Sequence, residues 1–215
     1  MSRIKITIAD ITVEFKFINF DKKFNDEIIK RYSQFFIDKK PDFKITVFLE
    51  DYRSGIKKIE ISDEKGLNVN RDDLCLNDNI LKIRPNIYSF DSFLRIFISY
   101  HLNQSYGFLI HSSGCVIKNR AYLFVGKSGS GKTTISAMFQ DKFDILSDEL
   151  IPVIIKNKKA YAFSSPFWGN MKNPRNRYLK SEIKKIFFIK KSEMIIENDC
   201  SDRDKFLNII RCVMN

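Results

Sequence analysis

The sequence predicts a mixed α/β protein with α+β character, in which a small N-terminal region precedes a larger domain built around one glycine-rich loop. Residues 3–18 alternate apolar and polar side chains with the period of β-strands, and residues 24–37 carry apolar side chains at helical spacing. An apolar run at 121–125 then leads into the glycine-rich loop and on to a helical stretch at 134–139. Strand and helix patterns therefore both recur along the chain.

The N-terminal region is assigned to residues 1–88 and is expected to be a small α+β unit. Its strand alternation changes phase at Ala9-Asp10, which indicates a hairpin or a bulge, and Pro41-Asp42 ends the helical segment. Further strands are expected at 45–49, 59–61 and 80–83. This region shows no pattern typical of a catalytic or binding site.

The second domain is assigned to residues 89–215. A helix is expected to begin near Ser89 or Asp91, and His101 lies on its apolar face, as a structural histidine would. Further strands are expected at 108–110, 115–117, 121–125, 151–155, 160–163 and 186–189, the fourth and fifth of them joined as a hairpin.

The last helix of the chain is predicted from its N-terminal capping pattern. Ser201 and Asp204 have the spacing of a capping box. The helix that follows is expected to turn five apolar side chains inward: Phe206, Leu207, Ile209, Ile210 and Val213.

The glycine-rich segment Gly126–Thr133 fits the phosphate-binding pattern GxxxxGK[ST] at every required position. In this strand–loop–helix context, glycines let backbone N–H groups point at a phosphate, and the helix N-terminus adds partial positive charge. Lys132 is expected to bridge the β- and γ-phosphates of ATP, and the Thr133 hydroxyl to ligate Mg²⁺. The predicted nucleotide contacts are Gly126, Lys127, Ser128, Gly129, Ser130, Gly131, Lys132, Thr133 and Thr134.

Two acidic residues, Asp148 and Glu149, follow an apolar strand and lie only 16 and 17 residues after Lys132. One helix and one crossover fit into that length, so the strand is expected to bring Asp148 beside the phosphates. A carboxylate there can hold Mg²⁺ or take a proton from a nucleophile. The predicted metal ligands are Thr133, Asp148 and Glu149, and the alternative is an acidic pair on the surface.

His111 ends a predicted strand 15 residues before Gly126. If that strand lies beside the strand that leads into the loop, His111 reaches the same end of the sheet as Lys132 and Asp148. A histidine at that place can orient a catalytic carboxylate. The alternative is a hydrogen-bonded structural histidine.

Together, His111, the loop Gly126–Thr133 and Asp148-Glu149 resemble the catalytic domain of HPr kinase/phosphorylase and of the HPr-kinase-related serine kinases. That group shares its loop architecture with ATP-dependent phosphoenolpyruvate carboxykinase. The resemblance covers roughly residues 108–190 and implies a P-loop catalytic domain of the HPr-kinase and phosphoenolpyruvate-carboxykinase type.

The resemblance also implies roles for individual residues. Asp148 corresponds to the catalytic acid and base toward the acceptor hydroxyl, His111 supports it, and Lys132 completes the catalytic set. A Pro-aromatic-Gly loop, here Pro166–Gly169, is expected near the active site. The second Asp of the family pattern is Glu149 here, and no counterpart of the family's C-terminal signature for phosphorolysis is found. We therefore do not expect a reverse phosphorylase activity.

The leading hypothesis is an ATP- and Mg²⁺-dependent kinase that transfers the γ-phosphoryl group to a Ser or Thr hydroxyl. The acceptor is expected to be a carrier protein, a ribosomal precursor peptide or free serine. The alternative is a catalytically weak ATP-binding module that regulates or binds a partner. The resemblance is also compatible with a homo-oligomer, because members of that family often form one.

The charge distribution bears on partners. The net charge is +11, and residues 156–191 hold nine Lys and two Arg against one acid. Three of these cations, Lys172, Arg175 and Arg177, follow Trp168 and are expected near the γ-phosphate end of the site. The window lacks interleaved aromatic residues and has few Arg, so we do not expect a nucleic-acid partner.

Composition excludes several other classes of protein. With 29% charged and 44% hydrophobic residues, the chain of 215 residues is typical neither of a disordered nor of a membrane protein. The first residues lack the apolar block of a signal peptide, so a cytoplasmic location is expected. Four scattered cysteines and two histidines argue against a disulfide framework or a zinc site.

Overall fold

The computed structural model describes residues 3–19, 21–56, 59–62, 66–171, 177–194 and 196–214. The chain divides into two compact units, Met1–Tyr100 and His101–Asn215. Both units contain strands and helices, which confirms the predicted mixed α+β character.

The first unit is a seven-stranded sheet with two main helices. Its strands are β1 (Arg3–Ile8), β2 (Ile11–Phe17), β3 (Phe43–Leu49), β4 (Glu60–Ser62), β5 (Asn68–Arg71), β6 (Leu74–Asn77) and β7 (Ile80–Ile83). Its helices are α1 (Lys22–Tyr32), followed by a 3-10 turn (Ser33–Phe35), and α2 (Ile87–Asn103), whose last three residues belong to the second unit. The strand order is β1-β2-β3-β7-β6-β5-β4.

An aromatic core joins α1 and α2 to this sheet. The ring of Phe90 on α2 lies 5.1 Å from that of Phe15 on β2 and 6.0 Å from that of Phe24 on α1, both in edge-to-face contact. Such pairs add to the free energy gained by burying the rings. Because α2 packs by its aromatic side chains in this core, the division between the units falls after Tyr100 and not at the predicted boundary after residue 88.

The described residues of the second unit form six strands and two helices, besides the end of α2. They are β8 (Gly107–Ile117), β9 (Arg120–Val125), α3 (Lys132–Phe139), β10 (Asp144–Ser147), β11 (Leu150–Lys156), β12 (Lys159–Phe163), β13 (Lys180–Phe188) and α4 (Asp202–Ile210). The two runs predicted at 108–110 and 115–117 form the single strand β8.

Five of these strands close into a ring. The order β8-β11-β12-β13-β9 returns to β8, because β9 pairs antiparallel with the second half of β8, where Ser112 faces Val125 and Ile117 faces Arg120. The first half of β8 pairs with β11, and β10 continues the line of β11 along the second half of β8. Each of these five strands therefore pairs on both sides over at least part of its length.

The interior of the ring is filled by aliphatic side chains. Ile110, Leu123, Val125 and Ile151 are at most 1% exposed and belong to one cluster. Gly114 lies on the same face of β8, where a Cβ atom would come within 2.7 Å of the side chains of both Ile151 and Leu123. A larger residue at position 114 would therefore overfill the ring.

The helix α4 differs from its predicted orientation. Its N-cap is as predicted, since the Ser201 hydroxyl accepts a hydrogen bond from the Asp204 N–H at 3.2 Å. The expected inward face is wrong for three of its residues: Phe206 is 62% exposed, Leu207 36% and Ile210 48%. On α4, Ile209 packs against the aliphatic cluster inside the ring. None of the helices described is long and apolar enough to cross a membrane.

Candidate functional site

The register of β8, β9 and β10 brings the predicted site residues to one end of the ring. Val125, the last residue of β9, faces Ser112 on β8, and the Ser112 N–H donates to the Glu149 carbonyl at 3.0 Å. His111 faces Leu150, the residue after Glu149. Neighbouring strands lie about 4.8 Å apart, so this row from the loop strand to the acidic pair spans about 10 Å.

The glycine-rich loop connects Val125 at the end of β9 to α3, which begins at Lys132. Gly131 caps the helix with a φ of 104°, a left-handed conformation that strains other residues. A Cβ atom on Gly126 would lie 2.6 Å from the Ser130 hydroxyl and 2.7 Å from the Ile189 carbonyl. The loop therefore requires glycine at both its first position and its helix junction.

The side chain of Lys132 is hydrogen-bonded to the backbone of its own loop. The Lys132 Nζ donates to the carbonyl oxygens of Gly126 at 2.8 Å and of Lys127 at 3.0 Å. These two bonds hold the ammonium group against the backbone of the loop. Thr133 is half-buried, whereas Thr134 is exposed.

The acidic pair lies on the interruption between β10 and β11. The Ser147 hydroxyl accepts hydrogen bonds from the N–H groups of Glu149 at 3.1 Å and Leu150 at 3.3 Å, which fixes the backbone of this connection. Asp148 is 3% exposed, and Glu149 is half-buried. The two acids therefore differ in burial although they are adjacent in sequence.

A segment that follows β12 runs along β10 and the connection that carries the acidic pair. The Ser165 N–H donates to the Leu146 carbonyl at 3.1 Å, and the Ser147 hydroxyl donates to the Phe167 carbonyl at 2.7 Å. The Asp148 carboxylate then accepts three backbone N–H bonds, from Gly169 at 2.8 Å, Asn170 at 2.9 Å and Met171 at 3.1 Å. The Pro-aromatic-Gly loop that the family resemblance implies thus lies against the acidic pair.

His111 has an exposed side chain and a fixed backbone. Its N–H donates to the Cys212 carbonyl at 2.7 Å, and Ile110 forms a β-bridge with Val213. The residues after α4 therefore pair with β8 on the edge opposite β11. The register places His111 at the same end of the ring as the acidic pair.

Among the described residues of this unit, the buried hydroxyls of Ser112, Ser113 and Ser130 have no hydrogen-bond partner within the protein. Ser112 and Ser113 are fully buried in β8, beside the row that joins Val125 to Glu149. Unsatisfied buried hydroxyls are rare and often mark the place of a water molecule or a ligand. Sequence reasoning missed these two serines, although two adjacent polar residues within an apolar strand are a signal that could have indicated them.

Burial alters two titratable groups in this unit. It raises the pKa of the Cys115 thiol to about 11, which makes that thiol a poor nucleophile at neutral pH. Burial also lowers the pKa of His101, which stands in the last turn of α2. All four cysteines are free thiols.

Within the described ranges, no group of three or more His, Cys, Asp or Glu side chains is arranged to hold a metal ion. The oxygen ligands that the sequence predicts, Thr133 and the acidic pair, lie at the same end of the ring. Of the predicted cations, Arg177 pairs with Asp144 at 2.9 Å, and Lys172 and Arg175 lie outside the described residues.

The first unit carries a shallow concave surface lined by charged residues. Two arginines on it are paired within the fold, Arg71 with Asp73 at 2.7 Å and Arg84 with Asp72 at 3.0 Å. These arginines therefore serve the fold, and the chemistry-bearing motif remains the one in the second unit.

A scan against models of known protein families finds no match, and a search among curated proteins finds no relative.

Proposed function

We propose that this protein is an ATP- and Mg²⁺-dependent kinase of the HPr-kinase-like type, which transfers the γ-phosphoryl group to a Ser or Thr hydroxyl. The observation that carries the proposal is the strand row of Val125, Ser112 and Glu149, which sets the glycine-rich loop about two strand spacings from the acidic pair. That separation suits a triphosphate bound at the loop with its terminal phosphate directed toward the carboxylates.

In this proposal the loop amides and Lys132 bind the phosphates and neutralise their charge. The acceptor hydroxyl oxygen forms a bond to the γ-phosphorus, the bond from that phosphorus to the ADP oxygen breaks, and the hydroxyl proton passes to a carboxylate of the acidic pair. The family resemblance gives that last role to Asp148, with His111 as its support.

The donor set fits Mg²⁺, which prefers oxygen ligands and in nucleotide sites takes one or two carboxylates together with phosphate oxygens. Thr133 and Glu149 are the residues that would hold it, and the sequence predicts Asp148 as a further ligand. When bound, Mg²⁺ supplies charge neutralisation between the β- and γ-phosphates.

The proposed acceptor is a carrier protein, a ribosomal precursor peptide or free serine. In the proposed arrangement, it approaches from the side of Pro166–Gly169, since this segment lies across the acidic pair from the glycine-rich loop.

One observation favours the second candidate, a regulatory ATP-binding module with weak turnover. Within the fold, Lys132 is bonded to the carbonyls of its own loop and Asp148 to three backbone N–H groups. Both charged groups are thus already engaged. Release of ADP from Mg·ATP in the presence of an acceptor separates a kinase from a module that binds without turnover.

Nucleotide binding is the first prediction. Mg·ATP is expected to stabilise the wild-type protein against heat, by about 2.7 kcal/mol at 100 times Kd. Lys132→Ala should abolish this stabilisation and still fold. Lys142→Ala, which removes an exposed lysine beyond the far end of α3, is the control and should keep it. A wild-type protein that millimolar Mg·ATP does not stabilise would contradict the proposed function.

A further inference from the structure

The carboxylate of Asp148 is buried and is already hydrogen-bonded within the fold. It is 3% exposed, its Oδ1 accepts one N–H bond from Gly169, and its Oδ2 accepts two, from Asn170 and Met171. A carboxylate has about four acceptor sites, so three backbone donors leave little capacity for another partner. Without these donors, Asp148 would be an unpaired buried charge.

These three bonds join two parts of the chain that are far apart in sequence. One part is the connection between β10 and β11 that carries the acidic pair, and the other is the segment 169–171, whose first two residues are exposed. Gly169 sits directly on the carboxylate, since a Cβ atom there would lie 3.1 Å from the Asp148 Oδ2. Asp148 thus holds the segment against this connection, on the side away from the glycine-rich loop.

Glu149 stands in a different setting. Its N–H is bound to the Ser147 hydroxyl, and its carbonyl accepts the Ser112 N–H, so its backbone is fixed from both sides. Its half-buried side chain starts one strand spacing from Ser112, which in turn faces the residue before the glycine-rich loop. The longer stem of Glu gives this carboxylate more reach than an Asp would have.

We propose that the two acids divide the work: Asp148 is a positioning residue that latches the segment 169–171 as the acceptor-side wall, and Glu149 is the carboxylate that serves Mg²⁺ and the bound nucleotide. This inference rests on the proposed function and deepens it. It assigns to Asp148 a different role from the one that the family resemblance implies.

The test combines two measurements on three proteins: wild type, Asp148→Asn and Glu149→Gln. The first is hydrogen exchange of the amides 169–171, followed by mass spectrometry. Asp148→Asn should speed their exchange by about tenfold or more, because an amide NH₂ group replaces one accepting oxygen with a donor. Glu149→Gln, the matched change at the neighbouring residue, should leave it within about twofold.

The second measurement is thermal stabilisation by ATP with Mg²⁺ and by ATP with a chelator. The extra stabilisation due to Mg²⁺ should persist in Asp148→Asn and vanish in Glu149→Gln. If Asp148→Asn loses the Mg²⁺-dependent part while its amides 169–171 stay protected, Asp148 faces the metal and the inference is overturned. A wild type that ATP does not stabilise at all would instead remove the proposed function, so the two failures differ.

A second variant covers the case in which Asp148→Asn does not fold. Gly169→Ala keeps the carboxylate but places a methyl group 3.1 Å from the Asp148 Oδ2, so the contact must loosen. It should speed exchange at 169–171 and keep the Mg²⁺-dependent stabilisation. Unchanged exchange in Gly169→Ala would count against the latch.

Discussion

At the scale of single residues, His101 links stability to pH. Burial lowers its pKa from the ordinary value near 6.5, so the folded chain disfavours the protonated form. The unfolded chain then binds more protons, and the free energy of unfolding should fall as the pH drops below about 6.5 toward the folded pKa. Above about pH 7 this contribution should be fully present.

Urea denaturation between pH 5.5 and 7.5 measures this effect, in a range where few groups other than the two histidines titrate. His101→Gln should flatten the dependence of the unfolding free energy on pH. A variant whose slope equals that of wild type would show that His101 does not carry the linkage.

The sequence predicts which residues lie at the site, but it does not predict all of their hydrogen-bond partners. Motif spacing predicts the loop, His111 and the acidic pair as site residues, and the register of β8 with β9 and β11 places all three at one end of the ring. Their catalytic roles stay predictions. The three N–H donors to Asp148 had no signal in the sequence, because every residue except proline carries a backbone N–H.

At the scale of elements, four hairpins turn through two residues with positive φ and contain no glycine. They are Ala9-Asp10, Asp78-Asn79, Lys118-Asn119 and Asn157-Lys158. Two-residue turns of this kind match the twist of the strands, and Asn-Gly is their preferred pair. The hairpin or bulge predicted at Ala9-Asp10 is one of these turns.

Lys158→Gly should therefore stabilise the protein by about 0.5–1 kcal/mol, since Lys158 has a φ of 61°, which costs energy in any residue with a Cβ atom. Lys156→Gly, at the end of the adjoining strand β11, is the control and should destabilise it. Urea denaturation gives both values. Equal destabilisation by the two substitutions would mean that the turn is not strained at Lys158.

Local sequence periodicity predicts single strands and helices, but it does not predict how the strands pair or which helix faces are buried. Period-2 and helical spacing located β1, β2, α1 and α2 within a few residues, because each element buries one face of its own. The ring closure was not predicted, since it depends on pairing between β9 and β13, two strands separated by more than fifty residues. In α4, the apolar spacing predicts a buried face, but Phe206, Leu207 and Ile210 are exposed and Ile209 packs against the aliphatic cluster inside the ring.

At the scale of the whole molecule, the net charge of +11 is concentrated in residues 156–191. Part of that charge serves local contacts: Lys180 lies over the Phe163 ring at 5.0 Å, and Lys159 pairs with Glu182 at 3.4 Å. Exposed pairs of this kind contribute little to stability. The lysines described in this window are all exposed and thus form a solvated charged surface.

Lys158→Glu combined with Lys159→Glu lowers the net charge by four and should leave the stabilisation by Mg·ATP unchanged. These lysines stand at the far end of the seven-residue strand β11, about 20 Å from the acidic pair, and salt screens charges beyond about 8 Å at physiological ionic strength. A thermal-shift titration at 0.15 M salt checks this. A marked loss of ATP affinity would show that the overall charge, and not the loop, attracts the nucleotide.

The scarcity of glycine makes the site unusually accessible to nuclear magnetic resonance. The chain has only eight glycines, so selective nitrogen-15 glycine labelling yields a spectrum of eight backbone amide signals. Gly126, Gly129 and Gly131 sit in the phosphate-binding loop, and the Gly169 amide is bonded to the Asp148 carboxylate at 2.8 Å. A nucleotide in the loop would move the first three signals, whereas release of the latch would move the fourth. One sparse spectrum thus follows the two sides of the site independently.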